Sequence, residues 1–344
     1  MPADVREFMA TMAMPPQPLP LERAVGLVRE WYAIEARARR LTGERDENFH
    51  LVDATGREYV LKVAHPAEEA AVSALTTGAL LHLEREDPQL PCPRVLLERG
   101  GRGWFRFTDE AGRGRTARLL SYLPGEPLAG GEGSAAVRAA CGRLGGRLTR
   151  ALRSFSHPAA HRAIVWDVRH AGYLRELLAE LPDFPCRGEA QAVLARIVPR
   201  IDSHFPGLRQ QVVHNDLNPR NLLTQAGELA GIIDFGDMTH TAIIADVAVA
   251  AAENLPEHCT AGGTAATDAV RDVAGAYHEL VPLHAAELEV LGSLVAARLI
   301  ANLVVHEWHV QRNPAGEHYR PLAVDFMRER LQIAAEFSLG GLEL

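Results

Sequence analysis

The chain of 344 residues is longer than one hydrophobic core usually organises, so we expect two lobes. Its 36 basic and 44 acidic residues give a net charge of -8 and form no basic stripe, which excludes nucleic acid as a partner. With 47% hydrophobic residues, the composition is typical of a globular protein and excludes a fibrous or disordered one.

The cysteines and the apolar runs indicate the compartment. Four cysteines lie far apart in the sequence and match no metal-binding or disulfide spacing, which predicts reduced thiols in a reducing compartment. The N-terminal residues lack the apolar core of a signal peptide. The apolar runs 241–252 and 294–305 are interrupted by Asp246 and Arg298 and are too short to span a bilayer. We therefore expect a cytoplasmic protein with no membrane partner.

Lysine occurs once in the chain, at Lys62, and every other basic residue is arginine. This usage indicates that position 62 needs a compact ammonium group on a flexible stem, which arginine does not supply. Survival of one lysine by drift is the alternative.

In chain order, the prolines among residues 15–20 predict a mobile segment over residues 1–20. The N-lobe follows, at residues 21–122. Its predicted helices are 21–38 and 67–86. Its predicted strands are 48–52, 59–64, 94–98, 104–108 and 116–122, and Lys62 lies on the second of these.

Pro124-Gly125 and the glycine-rich residues 130–133 predict a connector into a C-lobe over residues 123–344. This lobe has the apolar spacing of helices with a single hairpin among them. The predicted helices are 135–154, 168–181, 189–204, 243–254, 264–280, 285–310 and 324–337. The chain is thus expected to be an α+β protein with a small antiparallel-sheet N-lobe and a mainly helical C-lobe.

The hairpin carries the clearest chemical signal in the sequence. Its two strands, near residues 222–223 and 229–233, bring Asn221 and Asp234 to the same end, and Asp216 lies in the loop that leads there. Amide and carboxylate oxygens suit Mg²⁺, and Asp216 is placed to accept the proton of an attacking hydroxyl. Each residue alone is also a common turn former, but the joint spacing favours catalysis. His214 is predicted to support the loop.

These residues resemble the aminoglycoside phosphotransferase and choline kinase superfamily, whose fold is similar to that of protein kinases. The resemblance implies a two-lobe, protein-kinase-like fold and a magnesium-dependent kinase that uses ATP or GTP. It implies that Asp216 is the catalytic base, that Asn221 and Asp234 are magnesium ligands, and that Lys62 holds the α- and β-phosphates.

Residues 41–49 look like the nucleotide-covering loop of the hydroxylysine kinase branch of this superfamily, as do residues 214–216 and 231–238. The resemblance implies nucleotide contacts at Gly43 and Asn48, and at Ser121 and Tyr122 in the hinge. The chain departs from the pattern in having one glycine in this loop. It also has Thr76 and Thr77 where the family places an acidic partner for the lysine.

The branch implies phosphorylation of the hydroxyl of an amino alcohol or amino acid, with 5-hydroxylysine as the first candidate. The candidate residues for contacting this acceptor are Trp166, Asp167, Asp237 and Glu307. An aminoglycoside phosphotransferase is the alternative enzyme, and a catalytically silent nucleotide-binding pseudokinase or scaffold is the alternative of another class. We expect a monomer or a homodimer whose other partners are small molecules.

Overall fold

A computed structural model describes residues 3–15, 17–43, 46–128, 133–257, 259–312 and 320–340. Contacts divide the chain into two compact units. The smaller unit comprises residues 10–124 and 157–160, and the larger unit comprises residues 1–9, 125–156 and 161–344. Parts of two predicted segments lie outside the described residues, namely Glu44 and Arg45 of the nucleotide-covering loop and residues 130–132 of the connector.

The N-terminal segment contains a helix, α1 (Ala3–Met12). The prolines of residues 15–20 predict no regular structure for residues 1–20, but they follow the helix and do not interrupt its hydrogen bonds. Val5 and Met9 of α1 are buried, so burial of apolar side chains stabilises this helix.

An antiparallel sheet forms the smaller unit. Its strands, among the described residues, are β1 (Ala36–Leu41), β2 (Glu47–Asp53), β3 (Glu58–Val63), β4 (Val95–Leu96), β5 (Phe105–Thr108) and β6 (Gly114–Ser121). They pair in the order β1-β2-β3-β6-β4, and β5 also pairs with β6. Phe49, Leu61 and Leu119 pack in one core with helix α2 (Leu21–Tyr32). Because side chains alternate along a strand, Lys62 lies on the opposite face of the sheet from Leu61.

Two helices of the smaller unit differ in length from the prediction. Helix α2 ends at Tyr32, where residue 33 adopts the left-handed conformation, and residues 36–41 form β1 instead of continuing the predicted helix 21–38. Pairing of β1 with β2 satisfies its backbone hydrogen bonds, which outweighs the local helical pattern. Helix α3 (Ala70–Glu86) begins three residues later than expected and contacts β6, since Ser73 Oγ lies 2.7 Å from Thr116 Oγ1.

The larger unit is mainly helical. Its helices are α4 (Ala135–Ala151), α5 (Tyr173–Ala179), α6 (Arg187–His204), α7 (Ile243–Glu253), α8 (Ala265–His278), α9 (Ala285–Arg312) and α10 (Val324–Phe337). Its strands are β7 (Glu126–Pro127), β8 (Gln210–Val213), β9 (Leu222–Gln225), β10 (Glu228–Ile232) and β11 (Thr239–Ala242). The expected antiparallel N-terminal sheet and helical C-terminal part are confirmed.

The strands of the larger unit include the predicted hairpin. Strands β9 and β10 form that hairpin, and their turn at Ala226 and Gly227 has positive φ angles of 52° and 81°. Such a turn matches the twist of the two strands. The prediction of a single hairpin missed two pairings, because β7 adds to β9 and β8 pairs with β11. The β8–β11 pair brackets the loop that contains Asp216.

Helix α9 is the central helix of the larger unit, where it packs against α6, α7 and α10. Among the described residues it is the one helix long and apolar enough to cross a membrane, but 83% of its most apolar 18-residue window is buried inside the protein. Its apolar surface is therefore covered by neighbouring helices, as in the core helix of a soluble fold.

Candidate active site

The loop that follows β8 is attached to helix α7 through a buried carboxylate. Asp246 accepts the backbone N–H of Asn215 at 2.6 Å and that of His214 at 3.2 Å. Burial raises the pKa of Asp246 to about 6, and these two hydrogen bonds oppose the rise. Asn215 has a φ of 65°, so the chain turns sharply just before Asp216.

His214 supports the same loop from inside. It is fully buried, its Nδ1 accepts the backbone N–H of Asp216 at 3.2 Å, and its ring meets that of Phe235 edge-on with centroids 4.7 Å apart. This position agrees with the structural role that the sequence suggested for His214. The backbone of Asp216 is therefore positioned by its hydrogen bond to His214 and by the bonds of Asp246 to the two preceding residues.

The carboxylate of Asp216 is hydrogen-bonded at both oxygens. Oδ1 accepts from Asn218 Nδ2 at 2.8 Å and from Arg298 Nη2 at 3.1 Å. Oδ2 accepts from Asn221 Nδ2 at 2.6 Å. The side chain keeps 18% of its surface exposed, so it is oriented by its neighbours but still reachable.

The electrostatic surroundings of Asp216 are mixed. Burial raises its pKa above the ordinary value, the Arg298 guanidinium opposes this shift, and Asp237 adds to it. A carboxylate whose pKa is raised by desolvation accepts a proton more readily than one in water, and a neighbouring cation limits that rise.

Asn221 and Asp234 lie side by side at the end of the hairpin, because the N–H of Ile233 donates to the carbonyl of Asn221 at 2.9 Å. Asn221 Nδ2 donates to two oxygens of Asp216, which sets the orientation of the amide and directs its Oδ1 elsewhere. Asp234 is exposed, has a φ of 58°, and accepts the N–H of Gly236 at 3.2 Å. The structure thus brings Asp216 and Asn221 into contact and places Asp234 beside Asn221.

Arg298 was missed as a site residue by sequence reasoning, which treated it as an interruption of an apolar run. Its side chain is 4% exposed in helix α9, and its Nε donates to Glu253 Oε1 at 2.6 Å. Its guanidinium carbon lies 4.9 Å from the ring centroid of Trp166. A charged residue inside such an apolar helix was the available signal, since isolated charges are seldom buried without a partner.

Lys62 lies in the smaller unit, on β3. Its Nζ is 3.6 Å from Oδ2 of Asp46, and Asp46 Oδ1 accepts the backbone N–H of His65 at 3.1 Å. Asp46 belongs to the predicted nucleotide-covering loop, but no sequence pattern pairs it with the lysine. One ion pair of Lys62 thus involves a residue of this loop.

Thr76 and Thr77 of α3 occupy the positions where an acidic partner was expected. The Thr76 hydroxyl donates back to the carbonyls of Val72 and Ser73, each at 3.2 Å. The Thr77 hydroxyl is buried and has no hydrogen-bond partner among the described residues. Neither hydroxyl has a described bond to the lysine.

The other predicted nucleotide contacts also lie in the smaller unit. A Cβ at Gly43 would come within 2.3 Å of the Asp46 carbonyl oxygen and 2.8 Å of Asn48 Nδ2, so only glycine fits this turn. In the hinge, the N–H of Ser121 donates to the carbonyl of Arg94, and the N–H of Tyr122 donates to the carbonyl of Glu58. These N–H groups are already used within the unit.

The candidate acceptor residues have different surroundings. Asp167 is 2% exposed and its Oδ1 accepts from the N–H of Arg169 and from Thr241 Oγ1, each at 3.0 Å. Glu307 is half-buried and accepts from Gln311 at 3.0 Å. Asp237 is half-buried and interacts electrostatically with Asp216. Of the predicted acids, Asp237 is thus the one placed beside the Asp216 carboxylate.

Comparison with known proteins identifies a family of phosphotransferases and several kinases that this chain is similar to. The phosphotransferase enzyme family, APH, matches residues 37–288. The chain is 24% identical to the hydroxylysine kinase of Mus musculus, over 81% of this chain and 79% of that protein. It is 27% identical to the homoserine kinase of Beijerinckia indica, over 60% of each chain.

Solved structures show the same fold. The amicoumacin kinase hAmiN, solved with AMP-PNP, Ca²⁺ and its ligand, superposes with a TM-score of 0.68 at 16% identity and covers 93% of each chain. The family match extends over more than half of the sequence. The chain therefore belongs to the phosphotransferase enzyme family, whose members transfer phosphate to a hydroxyl group of a small molecule.

Proposed function

We propose that this phosphotransferase moves the terminal phosphate of ATP or GTP to the side-chain hydroxyl of an amino acid or amino alcohol, with 5-hydroxylysine as the first candidate. The similarity to hydroxylysine kinases over about four fifths of the chain supports the acceptor class. The observation that carries the catalytic part is the Asp216 carboxylate, which is hydrogen-bonded at both oxygens yet partly exposed.

In this proposal Asp216 is the catalytic base. Phosphoryl transfer depends mainly on positioning and on charge, and a carboxylate that orients the attacking hydroxyl and accepts its proton fits that need. The donors Asn218, Asn221 and Arg298 hold the carboxylate in one orientation. Oδ2 has a single described donor and is the oxygen we assign to the acceptor hydroxyl.

Asn221 Oδ1 and the Asp234 carboxylate are the proposed ligands for Mg²⁺. Two oxygen ligands suit this ion, which keeps several waters and binds phosphate oxygens. Among the described residues, no group of three or more His, Cys, Asp or Glu side chains is placed to hold a metal, so the ion would rely on these two ligands and the nucleotide. When bound, Mg²⁺ would neutralise charge on the phosphates.

Lys62 is the proposed phosphate-binding residue, with Asp46 as the group that holds its ammonium in place. Gly43 and Asn48 belong to the same loop, where the tight turn at Gly43 lets backbone atoms approach a nucleotide. Ser121 and Tyr122 remain the proposed base contacts of the hinge. ATP is the first co-substrate to test, since hAmiN was solved with AMP-PNP.

For the acceptor, we assign Asp237 to binding an ammonium group of the substrate, since it lies near Asp216 and is half-buried. Trp166 is the proposed wall of this site, while Asp167 and Glu307 have their described bonds within the protein.

The four cysteines are free and buried, which supports a cytoplasmic location.

Homoserine is the second candidate acceptor, because homoserine kinases are also among the similar proteins. Both candidates are amino acids with a side-chain hydroxyl. The purified protein should be assayed for phosphate transfer to hydroxylysine, homoserine, ethanolamine, choline and kanamycin, with ATP and with GTP.

The expected result is the highest kcat/KM for hydroxylysine or homoserine. Preference for kanamycin would instead support an antibiotic phosphotransferase. Thermal stabilisation by nucleotide without transfer to any compound would support a silent nucleotide-binding protein. In the same assay, Asp216→Asn should lower kcat by about 100-fold or more while nucleotide binding is retained.

A further inference from the structure

Arg298 is the cation that faces the Asp216 carboxylate from helix α9. Its Nη2 lies 3.1 Å from Asp216 Oδ1, and its Nε lies 2.6 Å from Oε1 of Glu253 on helix α7. One guanidinium therefore bridges two carboxylates from different parts of the larger unit. The planar fork of arginine suits such a bridge because its N–H groups point in fixed directions.

The guanidinium is itself held in one orientation. Its face lies over the ring of Trp166, and its Nη1 donates to the backbone carbonyl of the same residue at 3.4 Å. Asn302, one turn further along α9, donates to the same Glu253 oxygen at 3.0 Å. Arg298 thus has contacts on its face, at its edge and at Nε, which leave it little freedom to rotate.

Three carboxylates act electrostatically on the Arg298 guanidinium. Burial opposes its charge, but the nearby carboxylates of Glu253, Asp216 and Asp237 outweigh this and raise the pKa of the guanidinium. Arg298 is therefore a permanent cation among three acids. Without it, the Asp216 carboxylate would lose this ion pair while the negative charges of Glu253 and Asp237 still act on it.

We propose that Arg298 is a positioning residue for phosphate transfer, one that fixes the orientation of the Asp216 carboxylate, with Glu253 and Trp166 holding the guanidinium in place. This inference rests on the proposed role of Asp216 as the base. It assigns Trp166 a place behind the catalytic carboxylate, in addition to its proposed contact with the acceptor.

Arg298 could instead contribute only to stability through its ion pairs. Substitutions at Arg298 and Glu253 distinguish this structural role from the positioning role. Arg298→Met leaves two partly buried carboxylates without their cation, so both stability and kcat should fall. Adding Glu253→Gln removes one of these charges and should restore much of the thermal stability. If Arg298 orients Asp216, the double variant should still have a kcat lower by about 100-fold, with KM for nucleotide close to the wild-type value.

Arg209 provides a matched control on the same unit. Its guanidinium bonds both oxygens of the buried Glu287, at 2.8 and 2.5 Å, and Glu287 also belongs to α9. Arg209→Met removes an ion pair of the same kind at the opposite end of β8 from the catalytic loop. It should lower the melting temperature but leave kcat unchanged.

Recovery of kcat together with stability in the double variant would overturn the proposal, because Arg298 would then act through stability alone. If the double variant does not fold, Arg298→Met and Arg209→Met are compared at a temperature where both are folded, and equal kcat values would also overturn it. The Asp216→Asn variant separates this result from failure of the base assignment. If Asp216→Asn is inactive and the double variant is active, only the proposed role of Arg298 is rejected. If Asp216→Asn is fully active, the assignment of Asp216 as the base is rejected.

Discussion

The carboxylate of Asp246 accepts the backbone N–H of Asn215 at 2.6 Å. A second bond, from the N–H of His214, joins the same carboxylate at 3.2 Å. Helix α7 thereby holds the two residues that precede Asp216, and the direction of the proposed base depends on a residue about thirty positions later in the chain.

Replacement of Asp246 by alanine should loosen this loop. Two buried backbone N–H groups would lose a charged acceptor, with a loss of about 3 kcal/mol in the free energy of unfolding. Urea unfolding and kcat, measured together, should both fall. Asp246→Asn keeps one acceptor oxygen and should lose less, and a stable, fully active Asp246→Ala would refute the anchoring role.

Asn215 should tolerate glycine but not a β-branched residue. Its φ of 65° lies in the left-handed region, which glycine adopts without strain and valine does not. Its side-chain amide is buried and has no hydrogen-bond partner among the described residues, so removing it breaks no described bond.

We therefore expect Asn215→Gly to have a melting temperature near that of the wild type. Asn215→Val should be destabilised by about 1–3 kcal/mol. Thermal unfolding of the two variants checks this, and equal destabilisation would show that the side chain matters more than the backbone angle.

Lys62→Arg should lower kcat/KM for the nucleotide by about 10-fold, equal to about 1.4 kcal/mol, because a planar guanidinium does not replace a compact ammonium on phosphates. The melting temperature should change little. Since Lys62 is the sole lysine, an amine-selective reagent can modify only this side chain and the terminal amine. Bound nucleotide should slow the modification of Lys62, and an unprotected Lys62 would contradict phosphate contact.

Asp167 should make stability depend on pH. Burial raises its pKa from 3.8 to about 6, so the folded protein holds this proton more tightly than the unfolded chain. Its stabilising contribution is therefore complete below about pH 4 and is lost as the pH rises through 6.

Asp167→Asn removes this titration and keeps an Oδ1 acceptor for Thr241 and the N–H of Arg169. The melting temperature of the variant relative to the wild type should rise between pH 5 and pH 8, by the equivalent of about 1.4 kcal/mol. Asp246 titrates alike in both proteins and cancels in the difference. A difference that stays constant with pH would contradict the raised pKa.

Local sequence patterns are enough to predict the hairpin and its polar residues. Asn221 and Asp234 lie at the ends of strands joined by a two-residue turn, so their proximity follows from strand length and turn chemistry alone. The same local reasoning placed Lys62 on a strand and identified the family. These inferences need only neighbours in sequence, which periodicity and spacing describe.

The partners of Arg298, Asp246 and Lys62 depend on packing between elements that are far apart in the chain. Arg298 and Asp246 come from helices that contact the loop containing Asp216, and their charges in apolar runs carry no information about their partners. Likewise, Lys62 forms an ion pair with Asp46, and residues 36–41 form a strand because β2 offers its hydrogen bonds. Contacts between residues far apart in the chain depend on how whole elements pack, and a local pattern does not encode that packing.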